Sequence, residues 1–316
     1  MRNINDLFGI KIPIVQAGMV WVSGAKLAAA SANAGVLGLI GAGSMQPDLL
    51  RQHIAKTKSL TDRPFGINVP LLYDKAKEQI DVALELGVRI FFTSAGSPKL
   101  YTSYLKPHGC IVVHVTSTPE LARKCEDAGV DAVVAEGFEA GGHNGRDEIT
   151  TLALIPQVVD AVKIPVIAAG GIADGRGIAA AMALGAKGVQ MGTRFLATQE
   201  SSAHQNFKKA VLESTATSTT LAMKPLVPVR LLKNAFAAEI AALELKCAPA
   251  EELKVHLGKG RAKAGMLDGD LANGELEVGQ ICGLVRDLPT VQELVVRLQR
   301  EYIAAISQLS SRLRVS

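Results

Sequence analysis

Two glycine-rich turns carry the first chemical signal in this chain of 316 residues. The segments Ala168-Ala169-Gly170-Gly171-Ile172-Ala173-Asp174-Gly175 and Gly188-Val189-Gln190-Met191-Gly192-Thr193-Arg194 are apolar runs that end in glycine. Glycine lets a backbone approach a phosphate closely, and exposed N–H groups at a helix start donate to its oxygens. Gly170, Gly171 and Gly192 therefore read as a phosphate cradle, with Gln190 and Met191 leading into it and the Thr193 hydroxyl as a further donor. A single Gly-Gly would suit a plain chain turn; glycines at two successive strand ends point beyond one. No Gly-x-Gly-x-x-Gly fingerprint follows the first strand and no G-x-x-x-x-G-K-[ST] loop occurs. The phosphate is expected on a mononucleotide such as FMN or on a phosphorylated substrate.

A second segment, Ala135-Glu136-Gly137-Phe138-Glu139-Ala140-Gly141-Gly142-His143-Asn144-Gly145, sets a histidine and two carboxylates among glycines. Such material makes a loop rather than a helix, and loops at a strand end carry function disproportionately. His143 is the candidate proton donor or acceptor near neutral pH. His114, at another strand end, divides evenly between a rim group and a capped structural histidine. His53, His108, His204 and His256 read as structural or solvent-facing. Small residues recur at three further strand ends: Gln16-Ala17-Gly18-Met19, Asn68 before Val69-Pro70, and Thr93-Ser94-Ala95-Gly96. They leave a slot that suits a flat ring, and the Asn68 amide can bond a heterocycle edge. No H-E-x-x-H, paired Cys/His or EF-hand spacing appears, so no metal site is expected.

These groups need a frame that brings strand ends together. Eight short apolar, β-branched runs recur at roughly 20 to 30 residues, the period of a strand, a helix and two loops. They cover 12–15, 38–40, 65–68, 89–93, 111–115, 132–135, 165–169 and 188–191. Ala-rich segments with helical spacing lie between them, at 23–34, 74–86, 118–128, 152–162 and 175–184. Strands buried on both faces and joined by helices pair in parallel. Eight such units predict an α/β chain folded as a closed (β/α)8 TIM barrel, with an open doubly wound sheet as the rival. The two glycine turns then follow the seventh and eighth strands, where barrels commonly bind phosphate.

After Arg194 the rhythm stops. Residues 201–279 read as a smaller helical lid or substrate region, with turns at Lys224-Pro225 and Val227-Pro228. Residues 280–316 read as a C-terminal segment packing back on the barrel (residues 1–200), its helix covering 289–313. The chain is 48% hydrophobic, ample for a large core, and its net charge of +4 is spread without a basic stripe. With only 4% aromatic residues, a nucleic-acid partner is not expected. Cys110, Cys125, Cys247 and Cys282 form no C-x-x-C pair, the start Met1-Arg2-Asn3 opens no apolar leader, and no run is long enough to span a bilayer. A cytoplasmic protein is expected.

The motifs taken together resemble the nitronate monooxygenase / enoyl-acyl-carrier-protein reductase II family of FMN-dependent barrels, over nearly the whole chain. Its marks here are Pro13-Ile14-Val15-Gln16-Ala17-Gly18-Met19, Gly66-Ile67-Asn68-Val69, Glu139-Ala140-Gly141-Gly142-His143, Ala168-Ala169-Gly170-Gly171-Ile172 and Gln190-Met191-Gly192-Thr193-Arg194-Phe195. The resemblance implies FMN contacts at Asn68, Glu136, Gly141, Gly171 and 190–193, with His143 facing the flavin and substrate. Gln16, Ala17, Gly18, Met19, Ser94, Gly142 and Gly170 complete the expected cofactor slot. One branch passes hydride from NADH or NADPH through FMN to a trans-2-enoyl thioester, carried by an acyl-carrier protein, in fatty-acid elongation. The other oxidises alkyl nitronates with oxygen. Glu136 in Ala-Glu-Gly, Glu200-Ser201-Ser202-Ala203-His204, 269–274 and 279–284 look like the reductase branch; His114 departs from it. The resemblance also implies a homodimer. A non-redox, phosphate-binding barrel enzyme is the third reading.

Overall fold

The computed structural model describes residues 3–43 and 45–312, so residues 1, 2, 44 and 313–316 of the expectations above lie outside the described residues. Eight strands close into a parallel barrel: β1 (Ile14–Gln16), β2 (Leu37–Gly41), β3 (Phe65–Pro70), β4 (Ile90–Ser94), β5 (Ile111–Thr116), β6 (Ala132–Glu136), β8 (Val166–Ala169) and β9 (Gly188–Met191). Each coincides with one of the eight apolar runs. β9 closes on β1 with Val15 opposite Gln190. A two-residue strand, β7 (Gly142–His143), lies outside the barrel.

Alternation along the strands splits the core in two. Val15, Leu39, Phe92, Val113, Val134 and Ile167 pack inside the barrel with Phe8, from the N-terminal helix Ile4–Phe8. The Phe8 and Phe92 rings lie 5.8 Å apart. Ile40, Ile67, Phe91, Val112, Val133 and Val189 face outward to the helices. The expected helices appear as Ala25–Asn33, Ala76–Glu85, Pro119–Asp127, Thr151–Ala161 and Gly175–Ala183. The helix Pro47–Leu60, with Pro47 at its first turn, is additional. The C-terminal helix Val291–Arg312 docks on Gly175–Ala183 and places Val291, Leu294, Val295 and Leu298 in the outer core.

The region 201–279 departs from the helical expectation. It contains helices Gln205–Leu212, Ala235–Leu245 and Ala250–Leu257, but also an antiparallel hairpin of β10 (Thr219–Ala222) and β11 (Val229–Leu232). The two prolines expected at turns sit in its connection. Each strand has only four residues, and the β-branched ones among them, Thr219, Thr220 and Val229, are too few to break a helical average. β7 pairs with β11, Val229 opposite His143 and Arg230 opposite Gly142, which makes a three-stranded sheet over the barrel mouth. Among the described residues, no helix is long and apolar enough to cross a membrane.

Candidate active site

Parallel register brings the expected strand-end residues to one rim. Gly41 is opposite Asn68, Thr93 opposite His114, Glu136 opposite Ala169 and Ala169 opposite Gln190. Asn68 is buried, and its Oδ1 accepts from Ser94 Oγ at 3.3 Å. Gly18 packs so tightly on Asn68 that a Cβ there would collide with the Asn68 side chain. Met19 N donates to Ser23 Oγ at 2.6 Å, which fixes the turn after β1. Gln16 is fully buried, and its amide bonds the Leu39 backbone, Oε1 accepting from Leu39 N at 3.3 Å. Its side chain is thus engaged within the barrel wall.

The two glycine turns are linked through Glu139 and the segment at 279–280. Gly170 and Gly171 both have positive φ, +86° and +68°. The Glu139 carboxylate lies beside Gly171 and accepts from Thr151 N at 3.0 and 2.9 Å, at the N-terminus of the helix Thr151–Ala161. Its negative charge is offset there by the helix end. The Glu139 carbonyl accepts from Gln280 N, and Gly279 N donates to Thr193 Oγ1 at 2.9 Å. Glu139 and Gly279 therefore join the turn after β8 to the turn after β9. The Thr193 oxygen accepts in that bond, which leaves its hydroxyl hydrogen free to donate. Gly141 is pressed on the same segment: a Cβ would lie 2.5 Å from Gly279 N.

Burial sets the charge states of the acids and histidines. Glu136 retains some accessible area, yet protein surrounds its carboxyl closely enough that desolvation pushes it up to about 7. It lines a small cleft with Ser117, Phe138 and Ile149. His114 is 4% exposed, with Nδ1 2.7 Å from Thr93 Oγ1, and burial lowers it to about 4. It is neutral at pH 7 and tied to Thr93 in the barrel wall, the structural alternative of the two expected. His53, His204, His108 and His256 make local bonds, to Ala25 N, Asn206 N, Tyr104 O and Glu239 respectively.

His143 is exposed at the mouth and held by its pairing to Val229. Two carboxylates that the sequence reading did not single out stand beside it, Glu275 and Glu277. Leu231 bridges Glu277 antiparallel and Leu232 N donates to Leu276 O at 2.9 Å, so this segment continues the edge of β11 that β7 begins. A Cβ at Gly142 would lie 2.7 Å from Glu277 Oε2. Burial pushes both carboxyls up to about 7; Glu277 adds to the rise of Glu275, and His143 and Arg261 oppose it. Arg261 itself is spent on the His256, Leu257 and Asn273 carbonyls. Among the described residues there is no cluster of three or more metal-ligating side chains.

A closed (β/α)8 barrel with glycine turns at its last two strands and a histidine over its mouth defines a barrel enzyme with a rim site. A family model described as nitronate monooxygenase matches residues 2–301, and the chain belongs to that family. Family and relatives mark it as an oxidoreductase. It is 40% identical to the structure of FabK from Thermotoga maritima, with a TM-score of 0.94 and coverage of 99% of this chain and 100% of that one. It is 36% identical to a nitronate monooxygenase of Paraburkholderia phytofirmans, covering 98% of this chain and 97% of that protein. It is 35% identical to a (3aS,4S,5R,7aS)-5-hydroxy-7a-methyl-1-oxo-octahydro-1H-indene-4-carboxyl-CoA dehydrogenase of Rhodococcus jostii, again over 98% and 97%.

Proposed function

We propose that this protein is an FMN-dependent reductase of α,β-unsaturated acyl thioesters, taking hydride from NADH or NADPH. Fit to FMN is supported by the rim itself. The Gln190 Oε1 is buried at the end of β9 without a hydrogen-bond partner, and a Cβ at Gly192 would meet nothing nearer than Met19 Sδ at 3.4 Å. Gly171, Gly192 and Thr193 would hold the phosphate; Gln190 and Asn68 would take polar edges of the ring. When bound, the flavin supplies hydride relay between nicotinamide and substrate.

The observation that carries the reading is the placement of His143 at the barrel mouth, fixed by the pairing of β7 to β11 on the side where the glycine turns lie. Reduction of an enoyl thioester adds hydride at Cβ and a proton at Cα. His143 donates that proton or stabilises the enolate oxygen. The likeness to FabK and to a relative named for a carboxyl-CoA supports a thioester substrate, linked to CoA or an acyl-carrier protein. Nitronate oxidation is the second reading, favoured by the family description and the Paraburkholderia relative. A nitronate is an anion, however, and the carboxyls of Glu275 and Glu277 on the same side of the mouth oppose its binding as they ionise. Anaerobic mixing with NADH or NADPH, then crotonyl-CoA, tests the proposal. Rapid bleaching of a flavin spectrum and its return on adding the enoyl thioester are expected. Absence of bleaching, together with oxygen uptake on a nitronate, overturns it.

A further inference from the structure

We propose that the backbone N–H of His143 is the donor to the substrate's thioester oxygen, and that Asn144 is the positioning residue that aims it. This rests on the enoyl-reductase reading above and gives the enolate charge of that reaction to a main-chain group. Ladder alternation frees the donor. In an antiparallel pair, residues that exchange hydrogen bonds alternate with residues whose N–H and C=O point away from the partner strand. Asn144 N donates to the Pro228 carbonyl at 2.8 Å, which puts Asn144 and Pro228 in the bonded set. Gly142 and Arg230, two residues along each strand, belong to the same set, and His143 and Val229 lie between. The His143 N–H therefore points away from β11, and among the described residues no acceptor meets it. β7 is the edge of its sheet, so no further strand covers that side. The loop is pinned to the barrel rim on both flanks of β7. A Cβ at Gly170 would lie 2.6 Å from the Gly137 carbonyl, and one at Gly145 would collide with Ser117. His143 is exposed between them, and its free N–H opens on the mouth.

Asn144 sets the plane of that donor. A peptide group is planar and trans, so its C=O and N–H point in opposite directions. Asn144 is 8% exposed, and its Nδ2 donates to the Ala140 and Gly142 carbonyls, each at 2.9 Å. The Gly142 carbonyl shares its peptide with the His143 N–H, so holding the one aims the other. Gly142 has φ +76°, and without a Cβ it would be a loose joint between the two held peptides. One amide ties both. A loss accompanies this on the other side of the same amide: Asn144 Oδ1 is buried without a hydrogen-bond partner. Turning the amide over would set Oδ1 against two carbonyls, so its partners fix which way it lies. In the reaction, hydride arriving at Cβ moves the C=C pair to Cα and the carbonyl carbon, and the C=O pair to the oxygen. The His143 N–H bond to that oxygen strengthens as its charge grows. The His143 imidazole is left to protonate Cα, the C=O re-forms, and the imidazole recovers a proton from water.

Crotonyl-CoA carrying a heavy carbon isotope at its carbonyl, bound to the oxidised, flavin-loaded protein, tests this by infrared difference spectroscopy. The thioester C=O stretch of the bound substrate is expected below its frequency in solution. His143→Ala removes the imidazole, retains the N–H and should keep that displacement. Asn144→Ala should lose most of it. His143→Pro has no N–H and should lose all of it; proline is tolerated on an edge strand where no ladder bond is needed. In turnover, kcat of Asn144→Ala falls by on the order of 10- to 10²-fold, with KM little changed. A merely structural clamp would lower Tm and leave the stretch where it is. A displacement that vanishes in His143→Ala gives the oxygen to the imidazole and overturns the proposal. A full displacement in His143→Pro overturns the role of the N–H, and one in Asn144→Ala overturns the role of that residue. Wild type and His143→Ala decide between imidazole and N–H even if the other variants do not fold. Binding and turnover of crotonyl-CoA without a displaced stretch overturn this proposal alone. A wild type that neither binds nor reduces crotonyl-CoA overturns the enoyl-reductase reading and this proposal with it.

Discussion

Gly188 and Gly192 flank the same short strand and differ in what holds them as glycine. A Cβ at Gly188 would collide with Ile4 Cδ1 and lie 2.8 Å from the Pro13 carbonyl, so packing alone demands glycine there. At Gly192 a Cβ would find Met19 Sδ at 3.4 Å and Ala17 Cβ at 3.7 Å, both tolerable, with φ at −101°, open to alanine. Nothing in the protein excludes a methyl at 192; a phosphate lying on its N–H would. Gly192→Ala is therefore expected to leave apoprotein stability within about 0.5 kcal/mol of wild type, like a substitution that disturbs no packing. Flavin binding should weaken by about 1.5–3 kcal/mol, the worth of one hydrogen bond to a charged group, or roughly 10- to 10²-fold in Kd. Gly188→Ala should do the reverse, costing about 1–3 kcal/mol of stability through overpacking. Urea unfolding of the apoproteins and calorimetric titration with FMN measure both quantities. A Gly192→Ala protein that binds FMN as tightly as wild type would refute the cradle.

Three further outcomes follow from the same geometry. His143→Ala should retain flavin yet lose about 10²- to 10⁴-fold in thioester reduction; steady-state turnover at wild-type rate would remove the histidine from the reaction. Glu136 has its folded pKa raised from 4.5 to about 7, so its contribution to stability is full below 4.5 and is lost as pH climbs to about 7. Glu136→Gln should flatten the fall in stability across that window, read from thermal melts at a series of pH values; an unchanged slope would show that the carboxyl titrates normally. Lys208 is 1% exposed, and its ammonium donates to the Thr198 and Ser201 carbonyls at 2.8 and 2.9 Å. Lys208→Met strands those carbonyls and should cost about 2–4 kcal/mol; a loss under about 0.5 kcal/mol in urea would contradict that role.

The barrel was legible because its strands are buried on both faces. Each is then a continuous apolar run, as in Val112 and Val113 or Val133 and Val134, and such runs stand out between Ala-rich helices. The hairpin was not, since β10 and β11 have four residues each and their pairing is decided by tertiary contact. The glycine turns and His143 were visible from local composition. Glu275 and Glu277 were not, because their neighbour His143 lies more than a hundred residues earlier. A faint signal exists: Glu275-Leu276-Glu277-Val278 alternates polar and apolar residues, the pattern of a half-buried strand. It marks the two acids as sharing a face, though not which histidine that face meets. Arg261 stacks 4.5 Å from the Phe236 ring and binds carbonyls of its own region.

The hairpin changes how the mouth of the barrel is understood. A loop as rich in glycine as 137–145 has high conformational entropy and would not by itself hold His143 in one place. Here the hairpin ties it down at several points. β11 pairs with Gly142 and His143, Asn144 N donates to the Pro228 carbonyl, Arg230 bonds the Phe138 carbonyl, and Arg146 reaches the Leu226 carbonyl. Every one of these partners lies between residues 226 and 230, so the appended region is scaffold for His143 as well as cover for the mouth. Loosening that short stretch should move His143 while leaving the glycine turns after β8 and β9 in place, because those are joined through Glu139, Gly279 and Thr193 instead. The glycine turns and His143 are thus anchored by different parts of the same appendage, so substitutions there should be able to displace one without the other.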